Sequence, residues 1–289
     1  MSENKITFLI QCADSKGIIA KVTSFFYEEE FNILTCQQFT DTVEDAYFMR
    51  VSLDARDLKY SREVLSSKFS VLAESLNFSW SVHYTSDVQN IAILASKTTH
   101  CLYDLLEKHR ENKLKCNIPF VIGNHESVRP VVEQFGIPFF YQPISADNWG
   151  EVQSKWTKKF KEEKVDLIVM ARFMRILSSE FINEFPEQII NIHHAFLPAF
   201  LGANPYRRAF ERGVKMIGAT AHYATDDLDE GPIIEQDVER VSHASTPAGL
   251  TQIGSDIERK VLSKAVKFHL DSRIIVKGNR TIVFPETDD

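Results

Sequence analysis

Ile91-Ala92-Ile93-Leu94-Ala95 is an apolar segment, and a polar stretch, Ser96-Lys97-Thr98-Thr99, separates it from a helical pattern over Leu102–His109. The rhythm recurs. Apolar Asn117–Ile122, Pro138–Tyr141 and Leu167–Met170 alternate with helical patterns at Ser127–Phe135 and Trp149–Glu163. Strands separated by helices of this length predict parallel crossovers with helices on both faces of one open sheet. Another apolar strand, Ile189–Ile192, leads into a loop. Lys215–Tyr223 and Ile233–Glu239 read as later strands, Thr246–Asp271 as a long closing helix, and Pro285–Asp289 as a frayed tail.

Upstream, the polar run Thr85-Ser86-Asp87-Val88-Gln89-Asn90 reads as a linker, because the rhythm before it is different. Lys5–Cys12, Asn32–Thr40, Ala46–Leu53 and Asn77–Tyr84 are β-rich, while Ile18–Glu30 and Leu58–Leu76 carry apolar residues at helical spacing. The order is β-α-β-β-α-β, the ferredoxin-like split arrangement with two helices on one face of a four-stranded antiparallel sheet. Asp14-Ser15-Lys16-Gly17 should supply a side-chain cap and a flexible turn residue before the first helix. The expected division is residues 1–84, a linker at 85–90, and a second domain at 91–289.

Composition narrows the function. The chain has 289 residues, and its 33 Lys plus Arg against 40 Asp plus Glu give a net charge of −7. No basic block offsets that balance, so a nucleic-acid partner is disfavoured. The N-terminus lacks the apolar core of a signal peptide, and even Leu167–Ala171 is stopped by Arg172, so a membrane partner is not expected and a cytoplasmic protein is. Four cysteines without a C-x-x-C pair read as free thiols in a reducing compartment.

Several familiar chemistries are missing. There is no G-x-G pair for a dinucleotide, and Gly213 and Gly218 have P-loop spacing but Ala219 stands where the lysine belongs. No G-x-S-x-G elbow or H-E-x-x-H motif occurs. Adjacent His193 and His194 should point to opposite sides of an extended segment, which argues against joint metal ligation.

What does carry chemistry is Asn191-Ile192-His193-His194-Ala195-Phe196-Leu197-Pro198, placed where an apolar strand ends. Ligands of open parallel sheets bind at such ends. Residues 191 and 193 share one side of the strand, so an amide and an imidazole aim at one point and can hold the oxygen of a carbonyl under attack. In the acidic turn Thr225–Pro232, Asp226, Asp227 and Glu230 read as solvated, whereas Asp229 matters if it folds back on His193 to orient the ring and hold a water. His222 reads as a strand histidine satisfied locally.

Asn191-x-His193 with Leu197-Pro198, Gly218-Ala219-Thr220-Ala221-His222 and Asp227-Leu228-Asp229-Glu230-Gly231 together resemble the folate-dependent formyltransferase fold, and within it the chain looks most like the formyltetrahydrofolate deformylases. The resemblance spans nearly the whole chain. It implies an N-terminal ACT domain followed by a Rossmann-like catalytic domain, with Asn191, His193 and Asp229 as the catalytic trio. Phe173, Met174, Arg175, Ile176 and Leu177 would wall the folate pocket, and His194 would support it. The implied reaction is hydrolysis of 10-formyltetrahydrofolate to formate and tetrahydrofolate, feeding purine synthesis and balancing the one-carbon pool, with no permanently bound cofactor or metal. The ACT domain implies a homo-oligomer and an amino-acid effector, glycine or methionine, bound near Asp14, Gly17, Ile18 and Asn32. Relatives that transfer formyl to a phosphorylated amine have a Gly- and Ser-rich loop after the first catalytic strand. Ala95–His100 here has no glycine, and His194 replaces their proline, which favours water as acceptor; Lys97 keeps a phosphate contact open. Formyl transfer to an amine and a non-catalytic folate or amino-acid sensor are the rival readings.

Overall fold

The computed structural model describes residues 4–198 and 205–286, which divide into two compact units. The first comprises 4–88 with 271–277 and 282–286; the second comprises 89–198 and 205–270 with 278–281. The expected second domain, 91–289, therefore needs correction, since most of the C-terminal segment belongs with the N-terminal unit.

In the first unit, β1 (Lys5–Ala13), α1 (Ile18–Glu28), β2 (Ile33–Asp41), β3 (Ala46–Asp54), α2 (Arg62–Leu76) and β4 (Ser79–Tyr84) follow the predicted order. The strands form an antiparallel sheet in the order β2-β3-β1-β4. Alternation along β1 sends Ile6, Phe8 and Ile10 to the helices, where they meet Ile18, Val22 and Phe26 of α1 and Leu65, Phe69 and Ala73 of α2. The other face is also covered. Leu9, Ala46 and Phe48 pack against Ile275 of β12 (Ile274–Lys277) and Phe284, which directly follows β13 (Arg280–Val283). That explains why all nine residues of β3 are buried. Arg50, enclosed on this face, donates from Nε to the Ser272 carbonyl at 2.9 Å, and the Pro285 carbonyl accepts from Gln37 Nε2 at 2.9 Å. The tail expected at 285–289 is thus anchored at Pro285, and 287–289 lie outside the described residues. The predicted side-chain cap of α1 is also corrected: Gly17 caps it at φ 88 with no side-chain bond, a backbone state that glycine adopts freely.

The second unit contains β5 (Gln89–Ala95), α3 (His100–Arg110), β6 (Cys116–Gly123), α4 (Arg129–Glu133), β7 (Phe139–Tyr141), α5 (Trp149–Glu162), β8 (Leu167–Ala171), α6 (Ser179–Asn183), β9 (Ile189–His193), α7 (Pro205–Arg212), β10 (Met216–Tyr223), β11 (Ile233–Arg240) and α8 (Pro247–Leu270). Its seven-stranded sheet runs β11-β10-β9-β8-β5-β6-β7. The five strands from β9 to β7 are parallel, and β10 and β11 extend the edge antiparallel. Strand order reverses between β5 and β8, and a ligand crevice forms outside the carboxyl ends at such a switch. Leu94, Ile122, Ile168 and Met170 face Trp156 and Phe160 of α5 and Phe181 of α6 in one core cluster. Among the described residues, no helix is long and apolar enough to cross a membrane.

Candidate active site

β9 ends at His193, and its register against β10 sets the site. Antiparallel pairing places His222 opposite Asn191 and Thr220 opposite His193, so each pair projects to a common face. Asn191 Nδ2 lies 3.2 Å from His222 Nε2. His222 Nδ1 lies 2.9 Å from the Tyr223 carbonyl. A carbonyl only accepts, so Nδ1 carries the proton, and in the neutral ring Nε2 accepts from the Asn191 amide. One amide N–H is thereby spoken for and the other is directed.

The turn after β10 returns Asp229 to these residues. Its Oδ2 is 3.1 Å from His193 Nδ1, and its Oδ1 is 3.6 Å from His222 Nε2. The fold-back on which the sequence reading depended is present. Asp229 has φ 59, a left-handed state that a short polar side chain tolerates. Burial alone would raise its pKa, but the hydrogen bond and charge of His193 prevail and hold the carboxyl well below the usual range. It stays ionised. His193 Nε2 is buried and has no hydrogen-bond partner among the described residues. An imidazole tied at Nδ1 to a carboxylate, with its other nitrogen uncommitted, is arranged to exchange a proton with something placed beside it.

Gly231 closes the turn against β10. A Cβ at this position would lie 1.9 Å from the Tyr223 carbonyl oxygen, a backbone atom that cannot swing aside. Gly231→Ala should cost about 1–3 kcal/mol of stability and also displace Asp229; a denaturant titration and a turnover assay read the two losses together.

The rings of His193 and His194 do not point to opposite sides. They stack, centroids 5.0 Å apart and planes 19° apart. The strand ends at His193 and the backbone bends at His194, so the two-residue alternation no longer applies. Thr220, fully buried, pins that bend by donating to the Ala195 carbonyl at 2.9 Å and accepting from the Leu197 amide at 3.1 Å. Burial, with the positive charge of Arg172, pushes the His194 pKa from 6.5 down to about 4, so the ring is neutral at physiological pH. Its folded pKa lies below its unfolded one, so stability is full above about pH 6.5 and lost as pH falls towards 4. The loss amounts to about 3 kcal/mol by linkage. Melting temperatures measured across this window should fall in the native chain, and His194→Gln should flatten that part of the profile.

A cavity of about 380 Å³ opens beside the trio, a size suited to one small-molecule ligand. Met170, Arg172, Phe173, Met174, Arg175, Ile176, Leu177, Asn191, His193, His194, His222 and Asp229 all contribute to its lining. The predicted wall residues divide between two roles. Phe173 and Leu177 are buried in the core, whereas Met174 and Ile176 are 59% and 64% exposed and form the open surface. Arg175 donates from Nη2 to the Ile144 carbonyl at 3.3 Å. The Ile176 carbonyl accepts from Trp149 Nε1 at 2.8 Å, which fixes the loop. Asp226, Asp227 and Glu230 are exposed, as a solvated turn requires. Asp14, Gly17, Ile18 and Asn32 all belong to the first unit. Ile18 is in its core, and the Asn32 amide donates to Asp57 at 2.8 Å.

Two groups escaped the sequence reading. His222 had been assigned a local role; only the β9–β10 register puts it against Asn191 and Asp229. The second is Glu258 on α8, 1% exposed. His100 and Cys101 come with it, the donor atoms of the three lying within 4.8 Å of one another. This is a poor metal site. Both Glu258 oxygens are engaged, by His100 Nε2 at 2.7 Å and the Tyr206 hydroxyl at 2.5 Å, with Arg172 Nε at 3.3 Å. Burial and the Glu258 charge push the Cys101 thiol well above its ordinary range, so it is not a thiolate ligand.

Comparison with known proteins follows this geometry. The formyl transferase family model matches residues 89–266. A formyltetrahydrofolate deformylase from Bacillus subtilis (strain 168) is 45% identical over 284 residues, 98% of this chain and 95% of the relative. The crystal structure of a formyltetrahydrofolate deformylase from Pseudomonas syringae superimposes with a TM-score of 0.95 at 36% identity, covering 98% of this chain and 95% of that one. A glycinamide ribonucleotide transformylase from Symbiobacterium toebii superimposes with a TM-score of 0.65 at 25% identity, covering 70% of this chain and 97% of that one.

Proposed function

The chain belongs to the formyltetrahydrofolate deformylase family, and we infer from that membership that it is a hydrolase converting 10-formyltetrahydrofolate and water to formate and tetrahydrofolate. The observation that carries the mechanism is the 3.1 Å contact between His193 Nδ1 and Asp229 Oδ2 beneath the cavity.

The folate lies along the wall formed by residues 173–177, with its formyl group among Asn191, His193 and Asp229. Asp229 holds the attacking water and accepts its proton as the new C–O bond forms. The free N–H of Asn191 and the Nε2–H of protonated His193 stabilise the resulting oxyanion. As the C–N10 bond breaks, His193 passes its Nε2 proton to N10; Asp229 then releases the water's proton to solvent and His193 regains one at Nε2, while the 3.1 Å contact at Nδ1 holds the ring throughout. Formic acid ionises on release, so one water is consumed and one formate and one proton are produced.

The first unit supports a further reading. Its β-α-β-β-α-β order and β2-β3-β1-β4 sheet fit an ACT regulatory domain through residue 84, with β5 of the second unit starting at Gln89 in place of the last two residues of the expected linker 85–90. We extend to it a homo-oligomer in the cytoplasm with glycine or methionine bound near Asp14, Gly17, Ile18 and Asn32. An effector acts only if it binds two states unequally.

The deciding assay follows formate from 10-formyltetrahydrofolate with and without glycinamide ribonucleotide. Formate should appear without the amine. Turnover that begins only when the amine is added would overturn the reading.

A further inference from the structure

Arg172 and His194 line the cavity, whereas Tyr206, Glu258 and His100 behind them do not. The five residues come from five places in the chain, around the switch between β5 and β8 where an open sheet normally receives ligand. Here side chains fill that space. Glu258 gathers His100, Tyr206 and Arg172 within 3.3 Å, and its carboxyl stays ionised because these partners overcome its burial. Arg172 occupies the left-handed region at φ 59, a strained state for a long side chain, and its Nη1 is sealed from solvent with no hydrogen-bond partner among the described residues. Such strain and desolvation at one residue call for a function.

Tyr206 locks the arrangement. Its ring lies over Gly254 of α8 so closely that a Cβ there would come within 2.1 Å of Cζ. His194 sits between the rings of His193, at 5.0 Å, and Tyr206, at 6.5 Å. The cavity left beside His193, about 380 Å³, suits one organic ligand and a water of roughly 30 Å³. Among the described residues its lining stops at Arg172 and His194 and leaves no second seat on the Tyr206 side. The transformylase of the same fold carries, by its name, an amine substrate that needs one.

We propose that Arg172, His194 and Tyr206, held by Glu258, are the specificity determinants that reserve the formyl carbon for water by closing the approach an amine acceptor would use. The proposal rests on the hydrolytic reading above. Opening the wall lets a small amine attack instead: its nitrogen bonds to the formyl carbon, the C–N10 bond breaks, and the amine's proton goes to N10.

Two variants remove the ring by independent routes. Tyr206→Ala deletes it, and Gly254→Ala expels it; Tyr206→Phe keeps it and loses only the hydroxyl. Each full-length protein, with its fold verified by circular dichroism, is given 10-formyltetrahydrofolate and excess glycinamide, and formate and N-formylglycinamide are quantified by mass spectrometry. Native protein and Tyr206→Phe should yield formate with only a trace of N-formylglycinamide. Either opened variant should raise the transferred share by about tenfold or more, the usual scale of pocket discrimination. Should one variant fail to fold, the other decides, with Tyr206→Leu as a milder opening. The proposal is overturned if folded opened variants give formate only, or if native protein formylates glycinamide as readily as they do. Absence of formate from native protein without amine would instead overturn the hydrolytic reading.

Discussion

Asp229→Asn should lower kcat by about 10²–10⁴-fold, the usual contribution of a positioned acid or base, and should also lower the melting temperature, because the fold favours the ionised carboxylate. Asparagine occupies the left-handed region as readily as aspartate, so the turn at φ 59 survives. What disappears is the anion that pairs with His193 at 3.1 Å and with His222 at 3.6 Å. The amide neither accepts the water's proton nor stabilises an imidazolium. Single-turnover measurement of formate release separates this chemical defect from a loss of folate binding, which should be small. A variant retaining more than a tenth of native kcat would remove Asp229 from the mechanism.

Asn191→Ala should cost about 10²–10³-fold in kcat, the scale for one oxyanion-hole donor. The amide sits 3.2 Å from His222 Nε2, which leaves one N–H for the substrate oxygen, and alanine supplies none. Because that hydrogen bond forms only as charge develops, kcat and kcat/KM should fall together while KM hardly moves. A rise in KM at constant kcat would show that Asn191 binds substrate instead.

The alternation of apolar strands and helices along residues 91–171 was legible without coordinates because burial on both faces leaves a continuous apolar run. The β-α-β-β-α-β order before it was equally legible. Asn191 and His193 could be paired by strand periodicity alone, which is a local property. His194 was misjudged for the same reason: the period of two holds only while the strand continues, and it ends at His193. β12 and β13 were missed because their burial comes from residues more than 220 positions away, Leu9, Ala46 and Phe48 among them.

Sequence by itself determined the elements, their order, and the strand-end amide and imidazole, since each depends on neighbours a few residues apart. Tertiary structure alone decided that Asp229 meets His193, that His222 orients Asn191, and that Glu258 draws Arg172, Tyr206 and His100 into one wall. Those contacts join residues between 31 and 158 positions apart. No local pattern encodes them, because a charge or hydrogen bond depends on distance through space and the packed sheet sets that distance.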